Sequence, residues 1–186
     1  MEKRIYLLTG ESGVGKTTLL LSIIESLRSK GVSVGGMVSR EVRESGVRIG
    51  FEVTDLADGR SGWLAKVNNE LGPRVGKYTV ITEDLERVGA KAIEDATSNS
   101  VIIAVVVDEI GPMELVSERF RTAVKKAVES GKPIVGVIHR NAKDPLIEHL
   151  KQRQDVHVQI VTRENRDKLV DLVLQKIIEF LKVQRE

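Results

Sequence analysis

The sequence predicts an α/β protein in which helices cover both faces of a mainly parallel sheet. Short apolar runs alternate with amphipathic segments along most of the 186 residues, as in parallel strands joined by crossover helices. The run Val101 to Val107 is apolar at seven consecutive positions, which is typical of a central strand buried on both faces. The interval 39–82 differs, because apolar and polar residues alternate there around glycine-rich turns. We therefore expect an antiparallel β insertion in that interval.

The first unit is predicted to be a strand at 4–9, a helix at 16–29 and a strand at 32–38. The helix carries leucines and isoleucines at helical spacing, and Gly31 closes it. In the insertion, polar residues alternate with the apolar residues Val47, Ile49, Phe51 and Val53. A turn at Asp58-Gly59 follows, and then the apolar run Trp63-Leu64-Ala65, so these segments are predicted to be antiparallel strands.

The second half returns to the alternation of helices and strands. A helix should start with Thr82 as its N-cap and end at Asn99, before the strand 101–107. This strand is followed by a helix at 114–129, a strand at 134–138, a short helix from Asp144, a strand at 156–161 and a helix at 164–182. We expect residues 1–186 to form one domain, with its ligand at the carboxyl ends of the parallel strands.

Composition excludes several classes of function. A net charge of +2 and 3% aromatic residues make a nucleic-acid partner improbable, and no apolar run approaches the length of a membrane span. The absence of cysteine excludes thiolate metal sites and fits a reducing compartment, so we expect a cytoplasmic protein. The three histidines show no metal-ligand spacing, and composition leaves any protein partner open.

A phosphate-binding motif follows the first strand. Gly10, Gly15, Lys16 and Thr17 fit the P-loop pattern G-x-x-x-x-G-K-[S/T]. Such a loop turns backbone N–H groups toward phosphate oxygens, its lysine reaches the β and γ phosphates, and its hydroxyl binds Mg²⁺. The predicted nucleotide contacts are Gly10, Glu11, Ser12, Gly13, Val14, Gly15, Lys16, Thr17 and Thr18.

Acidic residues after the longest apolar run supply the second half of the predicted site. Asp108 is placed to hold Mg²⁺ together with Thr17. Glu109 follows it directly, and Glu114 opens the next predicted helix. Either glutamate is a candidate for orienting or deprotonating the attacking water, so the predicted catalytic residues are Lys16, Glu109 and Glu114.

The run Asp108-Glu109-Ile110-Gly111-Pro112-Met113-Glu114-Leu115 resembles the signature of a family of small nucleoside-triphosphatases, known as thermophile or cancer-related nucleoside-triphosphatases. Segments 46–52, 76–78 and 164–167 are similar as well, in the same order. The resemblance implies a RecA-like P-loop NTPase fold and slow, Mg²⁺-dependent hydrolysis of ATP, GTP and other nucleoside triphosphates. It also implies nucleotide contacts at residues 10–17 and at Asp108, Glu109, Ile110, Gly111, Pro112, Met113, Glu114 and Leu115.

Further cations and aromatic residues are weaker candidates. Phosphate transfer needs positive charge besides Lys16, and the candidates are Arg40, Arg43, Arg48, Lys77, Arg140 and Arg153. His139 could sense the γ-phosphate or be structural. Trp63 and Tyr78 could stack on a base, but packing is the commoner role of a single aromatic residue in such a segment.

Three functions remain open from sequence. The first is a nucleoside-triphosphate hydrolase. The second is a nucleotide or small-molecule kinase, for which residues 140–153 could supply a basic lid. The third is a nucleotide-gated binding module that uses the β insertion as its partner surface. The acidic pair directly after the strand favours water activation, and hence the hydrolase.

Overall fold

The computed structural model describes residues 3–68 and 71–184, so Asn69 and Glu70 of the insertion and the two ends of the chain lie outside the description. Its strands are β1 (Ile5–Thr9), β2 (Val34–Glu44), β3 (Val47–Asp55), β4 (Ser61–Lys66), β5 (Arg74–Val75), β6 (Tyr78–Val80), β7 (Ala104–Ile110), β8 (Ile134–Ile138) and β9 (Val156–Ile160). Together they form one sheet in the order β5-β6-β4-β3-β2-β7-β8-β1-β9.

The sheet is parallel from β2 to β9 and antiparallel from β2 to β5. Strands β9, β1, β8, β7 and the first half of β2 run in one direction. The second half of β2 pairs with β3 in antiparallel fashion, and β4, β6 and β5 extend the sheet from there. The insertion therefore continues the central sheet, because β2 belongs to both parts.

Helices cover both faces of the parallel part. They are α1 (Lys16–Ser29), α2 (Thr82–Asp84), α3 (Lys91–Ser98), α4 (Glu118–Glu129), α5 (Pro145–Gln152) and α6 (Arg166–Val183). α1 and α6 pack on one face, on a core that includes Tyr6, Leu8 and Val106. α3, α4 and α5 pack on the opposite face with Leu7 and Val107. Alternate residues of each central strand thus enter different cores, and three layers result.

Several predicted boundaries are wrong. The strand predicted at 101–107 begins at Ala104 and continues through Asp108 to Ile110, while Val101 is 71% exposed. β2 runs on to Glu44 instead of stopping at Val38, because its polar second half pairs with β3. Pairing with a neighbouring strand, which hydropathy does not report, sets these ends.

Two helix starts also differ from prediction. Thr82 lies inside α2, the N-cap is Ile81 without a side-chain cap bond, and a π-helical stretch, Leu85–Ala90, joins α2 to α3. The helix predicted from Glu114 is a 3-10 turn, Glu114–Val116, followed by α4. Ser117 caps α4 by accepting a hydrogen bond from the Phe120 N–H, so the chain turns between Glu114 and that helix.

None of the helices among the described residues combines the length and the apolar character needed to span a membrane.

Candidate active site

The P-loop connects β1 to α1 at the carboxyl edge of the sheet. Gly15, the N-cap of α1, has a left-handed φ of 98°, which glycine adopts without steric cost. A Cβ at this position would lie 3.3 Å from Nη1 of Arg166. The loop leads directly into the N-terminus of α1, a position that suits an anion.

The two motif side chains face the inside of the site. Lys16 Nζ donates hydrogen bonds to the carbonyl oxygens of Gly10 and Glu11, at 3.0 and 2.8 Å, and so holds its charge over the loop. The Thr17 hydroxyl is hydrogen-bonded to Asp108. This bond joins the P-loop to β7, although more than 90 residues of sequence separate them.

Asp108 is buried in β7 beneath the P-loop. Its side chain is hydrogen-bonded to the Thr17 hydroxyl and the Ser39 backbone N–H, whereas Oδ2 has no hydrogen-bond partner among the described residues. Burial, and then the nearby charge of Glu109, raises the pKa of Asp108 to about 7. A buried carboxylate with an unpartnered oxygen beside a hydroxyl suits a hard divalent cation.

Glu109 and Glu114 converge on Gly111. A Cβ added to Gly111 would lie 2.9 Å from Glu109 Oε1 and 3.3 Å from Glu114 Oε2, so only glycine leaves both carboxyl groups where they are. Burial raises the pKa of Glu109, and the charges of His139 and Lys16 lower it in part. Burial, followed by the charge of Glu109, raises the pKa of Glu114 well above its usual value. The two glutamates therefore differ in their tendency to ionise.

One cleft contains these groups and extends well beyond them. Its volume is about 850 Å³, toward the upper end of the range for small-molecule sites. It is bounded on one side by the P-loop and Asp108, and on the other by the antiparallel strands. The lining residues there include Ser39, Arg40, Glu41, Arg48, Phe51, Leu64, Val75 and Tyr78.

Most predicted nucleotide contacts line this cleft, and a few do not. Those that line it are Gly10, Glu11, Ser12, Gly13, Gly15, Lys16, Thr17, Thr18, Asp108, Glu109, Pro112, Met113 and Glu114. Ile110 and Leu115, which the resemblance implied as contacts, are buried in the core instead, with exposed fractions of 2% and 4%. Val14 likewise packs against the core under α1, and Gly111 lies beneath the two glutamates.

The candidate cations fall into two groups. Arg40, Arg48 and Arg140 line the cleft, and Arg140 Nη1 lies 3.2 Å from Glu11 Oε1 across its mouth. The other three do not line the cleft: Arg43 pairs with Glu41, Lys77 lies over the Tyr78 ring, and Arg153 pairs with Asp155 and Glu129. The pairing of Arg153 at the amino end of β9 excludes it from the phosphate site.

The basic segment 140–153 does not form a lid over the cleft. Asp144 caps α5 by accepting from the Leu146 N–H, and Leu146, Ile147 and Leu150 are buried in the core. Only the start of the segment, Arg140 and Asn141, reaches the cleft. The kinase alternative therefore loses the basic lid that this segment could have supplied.

The histidine and aromatic candidates also separate. His139 lines the cleft, and its Nδ1 accepts hydrogen bonds from the N–H groups of Asn141 and Ala142, which makes it part of the turn after β8. Tyr78 lines the cleft, whereas Trp63 does not and instead carries the Lys66 ammonium over its ring at 4.2 Å. Packing is thus the role that the structure gives to Trp63.

Sequence reasoning missed two neighbours of the site. Ser39 supports Asp108 through its backbone N–H, and the rule that parallel strands end at one edge could have located it. Arg166 places its guanidinium against Gly15. Arg166 belongs to segment 164–167, which resembles the family, but the sequence assigns it no role at the P-loop, because only the packing of α6 on α1 brings it there.

The sequence profile of a family described as NTPase matches residues 5–174. The chain belongs to this NTPase family. Nucleoside-triphosphatase THEP1 of Thermofilum pendens is 49% identical over 178 residues, which are 95% of this chain and 97% of the relative. The protein of that name from Methanopyrus kandleri is 42% identical over 175 residues, which are 94% and 95% of the two chains.

Solved structures of the NTPase family share the fold. The crystal structure of THEP1 from Aquifex aeolicus matches with a TM-score of 0.81 at 28% identity, over 93% of this chain and 98% of that one. The solution structure of a human cancer-related nucleoside triphosphatase matches with a TM-score of 0.78 at 38% identity, over 93% and 96%. The predicted family and the predicted α/β fold are therefore confirmed, and family membership assigns the chain to the hydrolases.

Proposed function

We propose that this protein hydrolyses nucleoside triphosphates, including ATP and GTP, to the diphosphate and inorganic phosphate with the help of Mg²⁺. The observation that carries the proposal is the single cleft in which Lys16 and Thr17 face the carboxyl groups of Asp108, Glu109 and Glu114. A P-loop alone supports binding, whereas buried carboxyls beside it supply a group that activates water. In this proposal residues 1–186 act as one domain, because β2 belongs to both the core and the insertion.

The residues present fit a Mg²⁺ ion. Thr17 and Asp108 would hold it, since Asp108 is buried with one unpartnered oxygen and hydrogen-bonds the Thr17 hydroxyl. Among the described residues, no cluster of three or more histidine or acidic side chains could hold a metal by itself, which suits an ion completed by phosphate and water. Bound there, the ion would neutralise charge on the β and γ phosphates.

Glu109 is our candidate for the general base. It is less buried than Glu114, and the charges of His139 and Lys16 favour its ionised form. Glu109 would take a proton from the attacking water as the bond from water oxygen to the γ-phosphorus forms. The bond from that phosphorus to the bridging oxygen then breaks, and Lys16 would stabilise the charge that the diphosphate gains.

Glu114 has a positioning role in this proposal. It is fully buried, its carboxyl is hydrogen-bonded by backbone N–H groups that include that of Gly111, and its pKa is raised well above the usual range. Protonated, it would donate a hydrogen bond across Gly111 and fix the Glu109 carboxylate. Broad base specificity is part of the proposal, because the sequence lacks the Asn-Lys-x-Asp motif that reads guanine.

The test is phosphate release from ATP, GTP, CTP and UTP, measured with Mg²⁺ and with EDTA. Turnover should require Mg²⁺, vary little with the base, and disappear in Lys16→Ala. Glu109→Gln should lower kcat by about 10²–10⁴-fold, the usual contribution of a general base, with KM nearly unchanged.

Glu114→Gln is the matched comparison, because it keeps a hydrogen-bond donor in the buried position. We expect it to lower kcat by less than Glu109→Gln does. A larger loss in Glu114→Gln than in Glu109→Gln would exchange their roles. Equal turnover of wild type and Lys16→Ala would remove the proposal altogether.

A further inference from the structure

The cleft contains more space than the phosphates of one nucleotide need. From the P-loop at the end of β1 to the lining residues of β3, the cleft crosses four strand spacings, or roughly 19 Å. The groups proposed for phosphate, metal and water occupy its first half, over β1, β8 and β7. We call the remainder, lined by Arg48, Phe51, Leu64, Val75 and Tyr78, the β-insertion compartment.

The orientation of the P-loop places this compartment beyond the γ-phosphate, a step that rests on the proposed function. In a P-loop the lysine reaches the β and γ phosphates and the hydroxyl serves the metal between them. Thr17 is hydrogen-bonded to Asp108 on β7, so the γ end of a triphosphate points toward β7 and the insertion. The nucleoside end leaves in the opposite direction, toward β9 and α6, which lie on the other side of β1.

The walls of the compartment suit a planar ring. The rings of Phe51 and Tyr78 meet edge to face with centroids 5.1 Å apart, and the Arg48 guanidinium carbon lies 5.3 and 5.8 Å from their centroids. Leu64 is fully buried below them, and Phe51 remains partly exposed. Aromatic faces beside a guanidinium plane bind flat, electron-rich rings by stacking.

The polar groups of the compartment suit an anion. Arg48 Nε donates to the Tyr78 hydroxyl at 2.8 Å and Nη1 to Glu41 at 2.6 Å, which leaves three of the five guanidinium N–H donors unengaged among the described residues. Arg40 also lines the cleft, and within the described part of the chain its side chain has no hydrogen-bond or ion-pair partner. Two guanidinium groups with open donors favour a phosphate or carboxylate.

We propose that the β-insertion compartment is a second small-molecule site, which binds a planar ring bearing an anionic group, of the nucleoside monophosphate class. The ring stacks on Phe51 beside Tyr78, and the anionic group is bound by Arg48. The bound molecule occupies the side of the γ-phosphate from which water attacks, so it slows phosphate release without competing with the triphosphate for the P-loop.

Binding is tested by calorimetry on the full chain. The P-loop is first saturated with Mg²⁺ and the non-hydrolysable analogue AMPPNP, and AMP, GMP, CMP or UMP is then titrated in. Failure to bind AMPPNP would contradict the proposed function. Normal AMPPNP binding with no uptake of any monophosphate would overturn only the second site. Unphosphorylated nucleosides and ribose 5-phosphate should bind more weakly, since each lacks one of the two recognised groups.

Variants separate the compartment from the P-loop. Phe51→Ala should weaken monophosphate binding at least about tenfold, as loss of a stacked ring does, with AMPPNP affinity unchanged. Phe51→Leu keeps most of the apolar volume and should show the same loss, so it replaces Phe51→Ala if that variant fails to fold. Val47→Ala, at an exposed position of the same strand, is the matched control and should bind normally. If Phe51→Ala instead weakens AMPPNP, the compartment holds the base of the triphosphate, and the proposal is wrong.

Kinetics give an independent readout. In wild type, a monophosphate should lower the maximal rate of phosphate release, half-maximally at its calorimetric Kd, and leave KM for ATP nearly unchanged. Arg48→Lys, which keeps the charge but loses the planar fork, should shift that midpoint upward severalfold. Inhibition that is competitive with ATP and insensitive to Phe51 would locate the monophosphate in the P-loop and overturn the proposal.

Discussion

Three carboxyl groups share the small region around Gly111 and the P-loop, and burial gives each a different readiness to ionise. Asp108 is 1% exposed and Glu114 is 5% exposed, while Glu109 opens further toward the cleft. The charge of Glu109 also raises the pKa of Asp108 and of Glu114, and the charge of Asp108 adds to the effect on Glu114. Such crowding is costly without a cation, and it is common where a metal or a proton transfer is required.

Asp108 should make the stability of the ligand-free protein depend on pH. The folded chain keeps a proton on Asp108 up to a pH of about 7, whereas an unfolded chain loses it at about 3.9. The folded state therefore binds more protons in this window, and the free energy of unfolding falls as pH rises through it. From pH 5 to 7 the Asp108 contribution should fall by about 2 kcal/mol.

Asp108→Asn removes this contribution and checks it. In urea unfolding with EDTA present, the variant should gain stability relative to wild type by about 2 kcal/mol between pH 5 and 7. Ion pairs elsewhere also respond to acid, but they are present in both proteins, so their contributions cancel in the difference in stability. Parallel curves for wild type and variant would show that Asp108 ionises at its ordinary pKa.

At the scale of elements, the turn from β7 to α4 holds the glutamates in place. Ser117 caps α4 and its hydroxyl donates to Glu86 at 2.7 Å. Arg121 donates from Nε to the Leu115 carbonyl and from both terminal nitrogens to Asp144. Since Asp144 also caps α5, one carboxylate fastens α4, α5 and the segment that carries Glu114.

Asp144→Ala should therefore destabilise the protein by about 2–4 kcal/mol, because it removes a helix cap and the partner of a largely buried arginine. Asp144→Asn should lose less, since asparagine caps a helix as well as aspartate does. Urea unfolding at pH 7 measures both. The ion pair also lowers the pKa of Asp144, so the difference between wild type and Asp144→Asn should shrink as the pH falls toward the range in which Asp144 is protonated.

Equal stability of wild type and Asp144→Ala would contradict this role. A loss of kcat in Asp144→Ala at temperatures where the variant is folded would show that the Arg121–Asp144 ion pair also helps to position Glu114.

At the scale of the whole molecule, the site joins two distant parts of the chain. The P-loop follows β1, whereas the three carboxyl groups belong to β7 and to the turn after it. Strand β8 lies between β1 and β7 in the sheet. A nucleotide with its metal would contact both parts at once. Its binding should therefore stabilise the entire sheet rather than one loop.

Thermal unfolding with Mg²⁺ and AMPPNP tests this coupling. At a ligand concentration about 100-fold above Kd, the gain is about 2.7 kcal/mol, which for a chain of this size raises Tm by roughly 5–10 °C. Removal of Mg²⁺ with EDTA should abolish most of the shift, and Lys16→Ala should do the same. An undiminished shift with EDTA would show that the nucleotide binds without a metal.

The sequence by itself determined most of the strands and helices and the two motifs, because these depend on local periodicity and on residue types at fixed spacing. Lys16, Thr17 and Asp108 were predicted to meet on the strength of one rule, that parallel strands end at one edge of the sheet. The ends of β2 and β7 and the 3-10 turn at Glu114 were not predictable, since pairing and capping across the chain set them.

Only the tertiary structure decided how the charged residues divide between the site and the rest of the molecule. Arg153 and Arg48 look alike in sequence, yet Arg153 pairs with Asp155 away from the cleft and Arg48 lies inside it. Packing between distant segments likewise brings Glu109 and Glu114 together at Gly111. It also forms the β-insertion compartment with its paired rings. Local sequence carries the chemistry of a residue, whereas its burial and its neighbours, which set its charge and reach, come from the folded chain.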